Sequence, residues 1–391
     1  MKSAFSLWFL AETKTYPHQW FFTAASIYAI LMVPLAILAR HGYGPIMLAA
    51  PTTHAFEMLF GFVLALIAGY LLGPMPRKKV VVFMFFWILA RISGLILDMT
   101  VFSLIFNTVF VFLLAQHLLP KLWVAKKWRN RMLVPLLGLI CVMAATIATT
   151  RELDSYELQR YLLRESVQLF ALLMLFMGGR MLAPAVAGEF YRQGIELEAR
   201  VQPNIEAGLI VTVAGAFLLT PILPSIAGIL LIACGILAMI RLIRWQLWHC
   251  SARPDLICLG IGYAWLAIGL ILLGWVKFND GQYYNSAIHA ITVGALGTLA
   301  ANVIVRVTLL HVKQYPSRIP QIIIFTAIMT VAAITRIAAD FGNDRELLLA
   351  MAATTWSVSF LIVLMILLNC LMQKNEGFAR DKKKYVDDSG T

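Results

Sequence analysis

The sequence predicts an all-α fold, a polytopic bundle of about twelve transmembrane helices with both termini cytoplasmic. Three observations carry this. Of the 391 residues, 61% are hydrophobic and 13% charged, against roughly 45–50% and 25% in soluble domains, and mean hydropathy is +0.81. The apolar residues gather in runs of about 20, the length a helix needs to cross about 30 Å of hydrocarbon. Runs such as 222–240 are apolar on every face, whereas the strands of a membrane β-barrel alternate with period 2; in lipid, only a helix satisfies its own backbone in that way. The same figures exclude a soluble globule, a disordered chain, collagen and a disulfide-stapled secreted module.

Breaking the chain at charges, Pro and Gly gives the spans 20–39, 54–73, 80–97, 101–119, 132–150, 162–183, 206–221, 225–240, 256–276, 286–310, 321–341 and 347–372. These form one integral-membrane domain over residues 1–391, with a basic cytoplasmic tail at 373–391. The seventh and eighth spans meet at Thr220-Pro221-Ile222-Leu223-Pro224-Ser225, which reads either as a tight turn or as a kink in one long hairpin. The amino-terminal apolar stretch 4–11 runs into Glu12 and Lys14 without a small-residue cleavage pattern, so no signal peptide is expected. The polar connector 191–204 reads as an amphipathic surface segment.

Orientation follows from Lys and Arg. With a cytoplasmic amino terminus, the inner segments hold 23 of the 32 basic residues and the outer loops hold five, Arg40, Arg151, Arg160, Lys277 and Arg345. Arg91, Arg164, Arg306 and Arg336 fall within spans. This bias accounts for a net charge of +12, and no nucleic-acid partner is expected. The basic run 382–384 reads as a solvated stop after the last helix. Of the five cysteines, Cys141, Cys234 and Cys370 lie in apolar runs, and Cys250 and Cys258 flank a short basic loop without C-x-x-C spacing. All five read as small buried hydrophobes.

In so apolar a chain the informative residues are those that are costly in lipid, where a charge costs about 2.5–3.5 kcal/mol on insertion scales unless paired or functional. These are His54 and Glu57 in the second span, Arg91 and Asp98 in and after the third, His289, Arg306 and His311 in the tenth, and Arg336 with Asp340 in the eleventh. By the topology, His54, His289, Arg91 and Arg336 share the outer leaflet. His54-Ala55 and His289-Ala290 each open a span and are followed one helix later by an arginine, an echo too short to establish a repeat. Two facing imidazoles can ligate a haem iron or copper, and two arginines can pair with haem propionates. The plainer reading is that each histidine caps or wets a helix end. His289 and His311, 22 residues apart, are about 33 Å apart along a helix and cannot share a metal; either there are two sites or His311 snorkels beside Lys313.

The tenth span also carries Ala287, Ala290, Gly294, Gly297 and Ala301 at spacings of 3 and 4. Such a stripe packs against a neighbouring helix or, less commonly, a flat porphyrin edge. In the second span, His54, Glu57, Met58 and Gly61 fall on adjoining turns. Glu57 is positioned to orient His54, to handle a proton or to serve as a plain helix-end carboxylate.

Three stretches match a known pattern: Thr53-His54-Ala55-Phe56-Glu57-Met58-Leu59-Phe60-Gly61-Phe62; Trp87-Ile88-Leu89-Ala90-Arg91; and Ser286-Ala287-Ile288-His289-Ala290-Ile291-Thr292-Val293-Gly294-Ala295-Leu296-Gly297-Thr298 with the later Arg306 and His311. With helix count and motif order, these resemble the NnrS family over most of the chain. Two stretches depart from the family pattern. The histidine after the tenth span lacks flanking glycines, in Arg306-Val307-Thr308-Leu309-Leu310-His311-Val312-Lys313, and the turn after the second span reads Gly73-Pro74-Met75-Pro76-Arg77.

The resemblance implies a multi-pass protein of the bacterial inner membrane, containing haem b and copper and linked to denitrification and nitric oxide stress. It further implies His54 and His289 as metal ligands with His311 as a third candidate, and Arg91, Arg336 and Glu57 around the cofactor. The expected partners are the lipid bilayer and nitric oxide or a related small ligand. A turning-over haem-copper reductase is not expected, because the sixth to eighth spans contain no histidine for a binuclear centre, and catalysis itself is left open. The alternative from another class is a secondary transporter of a small solute without a redox cofactor, for which twelve helices, buried charges and a Pro-broken hairpin would be ordinary.

Overall fold

The computed structural model describes residues 14–97, 100–126, 128–153, 155–279, 281, 283–312, 316 and 320–388. Asp98 and Lys313 lie outside these residues. The chain divides into two compact units, one ending at Leu163 and the other beginning at Arg164.

Among the described residues, twelve long helices follow one another: α1 (Pro17–Arg40), α2 (Pro51–Leu71), α3 (Arg77–Leu95), α4 (Thr100–Trp123), α5 (Leu133–Glu152), α6 (Tyr156–Arg192), α7 (Pro203–Leu219), α8 (Pro224–Arg244), α9 (Pro254–Val276), α10 (Tyr284–His311), α11 (Gln321–Ala338) and α12 (Arg345–Asp388). All-α architecture and helix number agree with the sequence reading. Eleven are long and apolar enough to cross a membrane. The exception is α3, which opens on Arg77, Lys78 and Lys79 and carries Arg91 within its 19 residues. The chain is a multi-pass membrane protein.

Five helices, α1, α2, α7, α8 and α9, begin with Pro in the first turn, where the missing N–H would be unsatisfied anyway and φ is already helical. The division between α7 and α8 falls at 220–223, so the two are separate helices joined by a tight turn. The only strands among the described residues are the dipeptides β1 (Lys14–Thr15) and β2 (Met75–Pro76), paired antiparallel. All five cysteines are buried and free.

In the first unit α1 packs on the second half of α2, α3 on α4, and α4 on α5. In the second unit α8 lies against α9 so closely that a Cβ on Gly228 would stand 2.8 Å from the carbonyl oxygen of Gly274. This is the small-residue contact by which helices associate in lipid. The small stripe of α10 is also filled by neighbours. Gly294 faces the indole of Trp265 on α9 and Gly297 that of Trp356 on α12, so the stripe is a helix-packing surface.

Two stretches depart from the α-helical ladder, Glu57–Phe62 in α2 and Ala290–Gly297 in α10; both are π-helical. Each follows the histidine that opens its helix, by three residues in α2 and immediately in α10. π-turns are rare and concentrate at functional sites.

Candidate functional site

In the first unit the π-turn begins at Glu57, which is 0% exposed, and its carboxylate is met from two other helices. Tyr28 of α1 donates its hydroxyl to Glu57 Oε2, and Arg91 of α3 donates from Nη1 to the same oxygen. The Arg91 Nη2 donates to Asn107 Oδ1 of α4. Asn107 is anchored in turn by donating to the Ser103 carbonyl at 2.8 Å and to Ser103 Oγ at 3.2 Å. Ser103 donates to the Ala90 carbonyl at 3.2 Å. Four helices are thus joined through one buried ion pair.

Within the π-turn the Gly61 carbonyl accepts a hydrogen bond from Trp87 Nε1 at 2.9 Å. The ring of Tyr28 meets Trp87 edge-on at 5.5 Å, and the Arg91 guanidinium lies 5.9 Å from the Phe56 ring centroid. Gly61 has to be glycine, since a Cβ there would stand 2.7 Å from Arg91 Nη1 and 3.0 Å from Glu57 Oε2. Among the described residues, Glu57 Oε1 and Arg91 Nε are buried without a hydrogen-bond partner. His54, one turn before Glu57, is half-buried and its Nδ1 is a buried atom.

In the second unit His289 is half-buried, and its Nδ1 is 2.7 Å from the Asn285 carbonyl oxygen. A carbonyl only accepts, so Nδ1 carries a proton, and in the neutral ring Nε2 is the nitrogen that holds the lone pair. This is the tautomer in which an imidazole ligates a metal, and the hydrogen bond raises its basicity. His311 repeats the arrangement, with Nδ1 2.8 Å from the Val307 carbonyl oxygen, at the exposed end of α10. Arg336 of α11 meets Asp340 at 3.4 Å, and Asp340 accepts from Ser286 Oγ at 2.7 Å, which ties the start of α10 to the end of α11. Arg306 is paired with Asp255 at 2.6 Å, and Asp255 also takes both arms of Arg253 at 2.9 Å.

The structure therefore brings Glu57 and Arg91 together, and Arg336 to Asp340. His54 belongs to the first unit, and His289, His311 and Arg336 belong to the second. Among the described residues no three His, Cys, Asp or Glu side chains form a group able to hold a metal ion. Axial ligation of a haem draws on fewer protein atoms than that.

The sequence reading passed over a second buried pair. Arg241 of α8 donates to Glu206 of α7 at 2.7 Å and to the Leu175 carbonyl of α6 at 3.2 Å, with Tyr263 of α9 at 3.4 Å and the Trp245 ring 5.1 Å away. The sequence reading sets Glu206 at the start of the seventh span and Arg241 in the loop just past the eighth, where charge is cheap. The usable signal was that α7 and α8 are joined by a short turn, so a carboxylate near the start of one and a guanidinium near the end of the other lie side by side.

No curated protein matches the chain. The family model described as NnrS protein matches residues 13–375, and it contains every residue of both buried clusters. On that match, the chain belongs to the NnrS family.

Proposed function

We propose that this chain is a haem-binding protein of the bacterial inner membrane that acts in the response to nitric oxide and is linked to denitrification, with His54 in the first unit and His289 in the second each a candidate iron ligand. Family membership supports the nitric oxide connection. The observation that carries the ligand assignment is the Nδ1–H donation of His289 to Asn285 at 2.7 Å, which presents Nε2 in ligating form. The π-turns that follow both His54 and His289 support treating the two helix openings as counterparts.

Haem held by either imidazole would supply an iron able to bind nitric oxide or pass an electron. Arg336, in a long contact with Asp340, is the arginine suited to a propionate. Arg91 has both terminal nitrogens engaged by Glu57 and Asn107, so its part, and that of Glu57, is to hold the turn that carries His54. Copper is proposed as the second metal, with His311 as its candidate ligand because it shows the same tautomer.

The test is the colour of the protein purified from haem-replete cells. A Soret band is expected in wild type, weakened or lost in His54→Ala and in His289→Ala. A band that survives both substitutions removes the ligand assignment. A colourless, haem-free wild type overturns the proposal in favour of a transporter.

A further inference from the structure

The start of α3 and the end of α4 carry a cluster of positive charge that the site above does not use. The two helices pack antiparallel, and their register is fixed by Phe83 and His117, whose rings meet edge-on at 6.1 Å. Lys79 lies four residues before Phe83, and Lys121 lies four residues after His117. Both are therefore one turn further toward the same end, on the faces that meet. Lys121 Nζ, which can only donate, gives a hydrogen bond to His117 Nε2 at 2.6 Å. The imidazole serves to aim the Lys121 ammonium. Lys79 lies within electrostatic reach of both His117 and Lys121.

Like charges held face to face call for an anion. Between Glu57 and Glu152 the sequence contains one acidic residue, Asp98, nineteen positions after Lys79. Among the described residues neither Lys79 nor Lys121 has a carboxylate partner. On another face of α3 at this end, Arg77 lies 5.8 Å over the Trp20 ring of α1, and Trp is a residue of the membrane interface. One turn inward, on the face of α3 that carries Lys79, Val82 is exposed, as a seat for an acyl chain requires. A free aqueous anion would have no use for that apolar flank.

We propose that Lys79 and Lys121 bind the phosphate of one anionic phospholipid in the groove between the start of α3 and the end of α4. Basic pockets between membrane helices recognise such headgroups.

The test is native mass spectrometry of the delipidated full-length protein titrated with phosphatidylglycerol, and separately with phosphatidylcholine. One phosphatidylglycerol is expected to bind in clear preference to phosphatidylcholine. The double variant Lys79→Gln/Lys121→Gln should bind it roughly 10- to 30-fold more weakly, and Lys79→Arg/Lys121→Arg should retain it. The tail variant Lys382→Gln/Lys383→Gln/Lys384→Gln should be unchanged. Equal affinity in the Gln double variant, or equal binding of the two lipids, overturns the proposal. So does displacement of the lipid by inorganic phosphate, which would mark a free-anion site.

Discussion

Arg91 on α3 and Glu57 on α2 form an ion pair with both side chains sealed from solvent, and Glu57 is the first residue of a π-turn. Desolvating two charges is repaid only when the geometry is good and the remaining polar atoms are satisfied. Tyr28 and Asn107 supply two of those further bonds.

Removing one partner leaves the other charge buried and uncompensated, so Arg91→Leu is expected to destabilise the protein by about 3–5 kcal/mol. Replacing both, as Glu57→Leu/Arg91→Met, should recover most of that loss, because an apolar pair of similar volume has no charge to bury. Thermal unfolding in detergent measures both variants. A double variant no more stable than Arg91→Leu would show that the pair does not act as a unit.

Gly61→Ala places a methyl 2.7 Å from Arg91 Nη1 and must push the guanidinium off Glu57. A cost of about 1–3 kcal/mol is expected, as for overpacking elsewhere. Trp87→Phe keeps a six-membered aromatic ring but loses the fused pyrrole and with it the N–H given to the Gly61 carbonyl, a hydrogen bond worth about 1 kcal/mol. The order of the two melting temperatures is the check: if Trp87→Phe melts lower than Gly61→Ala, the clash is not what limits position 61.

The helices were legible because lipid imposes one requirement on the whole chain, an apolar run long enough to cross. The breaks were legible where Pro221 and Pro224 fall together and where Pro opens a helix. The pairing of Glu57 with Arg91 was not legible, because it depends on how α2 and α3 are rotated about their axes. Period-3.6 reasoning also loses the azimuth once a π-turn begins at Glu57. Glu206 and Arg241 escaped for another reason. The eighth span was expected to stop at 240, which left Arg241 in a loop, whereas α8 continues to Arg244 and carries Arg241 into the protein. The small-residue stripe of α10 was read for its chemistry and not its occupant; Trp265 and Trp356, distant in sequence, fill it.

Arg241 and Arg192 provide a comparison between two ion pairs in the second unit. The Arg241 side chain is 4% exposed and spans three helices through Glu206 and Leu175, whereas that of Arg192 is 53% exposed and meets Glu189 three residues away. Arg241→Ala should therefore cost about 3–5 kcal/mol, and Arg192→Ala at most about 1 kcal/mol. Added salt should narrow only the effect of Arg192→Ala. Similar losses for the two in thermal unfolding would mean that burial does not govern their worth.

Lys277, just past the end of α9, donates to Thr220 Oγ1 at 3.1 Å, and its partial burial lowers its pKa from the ordinary 10.5, with nearby Glu165 acting in the opposite direction. The folded protein thus holds this proton less tightly than the unfolded chain. At lower pH both states are protonated and the full cost of confining the ammonium is present. Between the lowered pKa and 10.5 the unfolded chain carries more protons, so stability rises with pH through that window. Lys277→Met removes the titration. The stability of wild type relative to Lys277→Met is therefore expected to increase as the solution is made alkaline toward the upper end of the window. Melting curves of both proteins across that range decide it: a difference that stays flat or declines with pH would show that burial does not depress the lysine in the folded state.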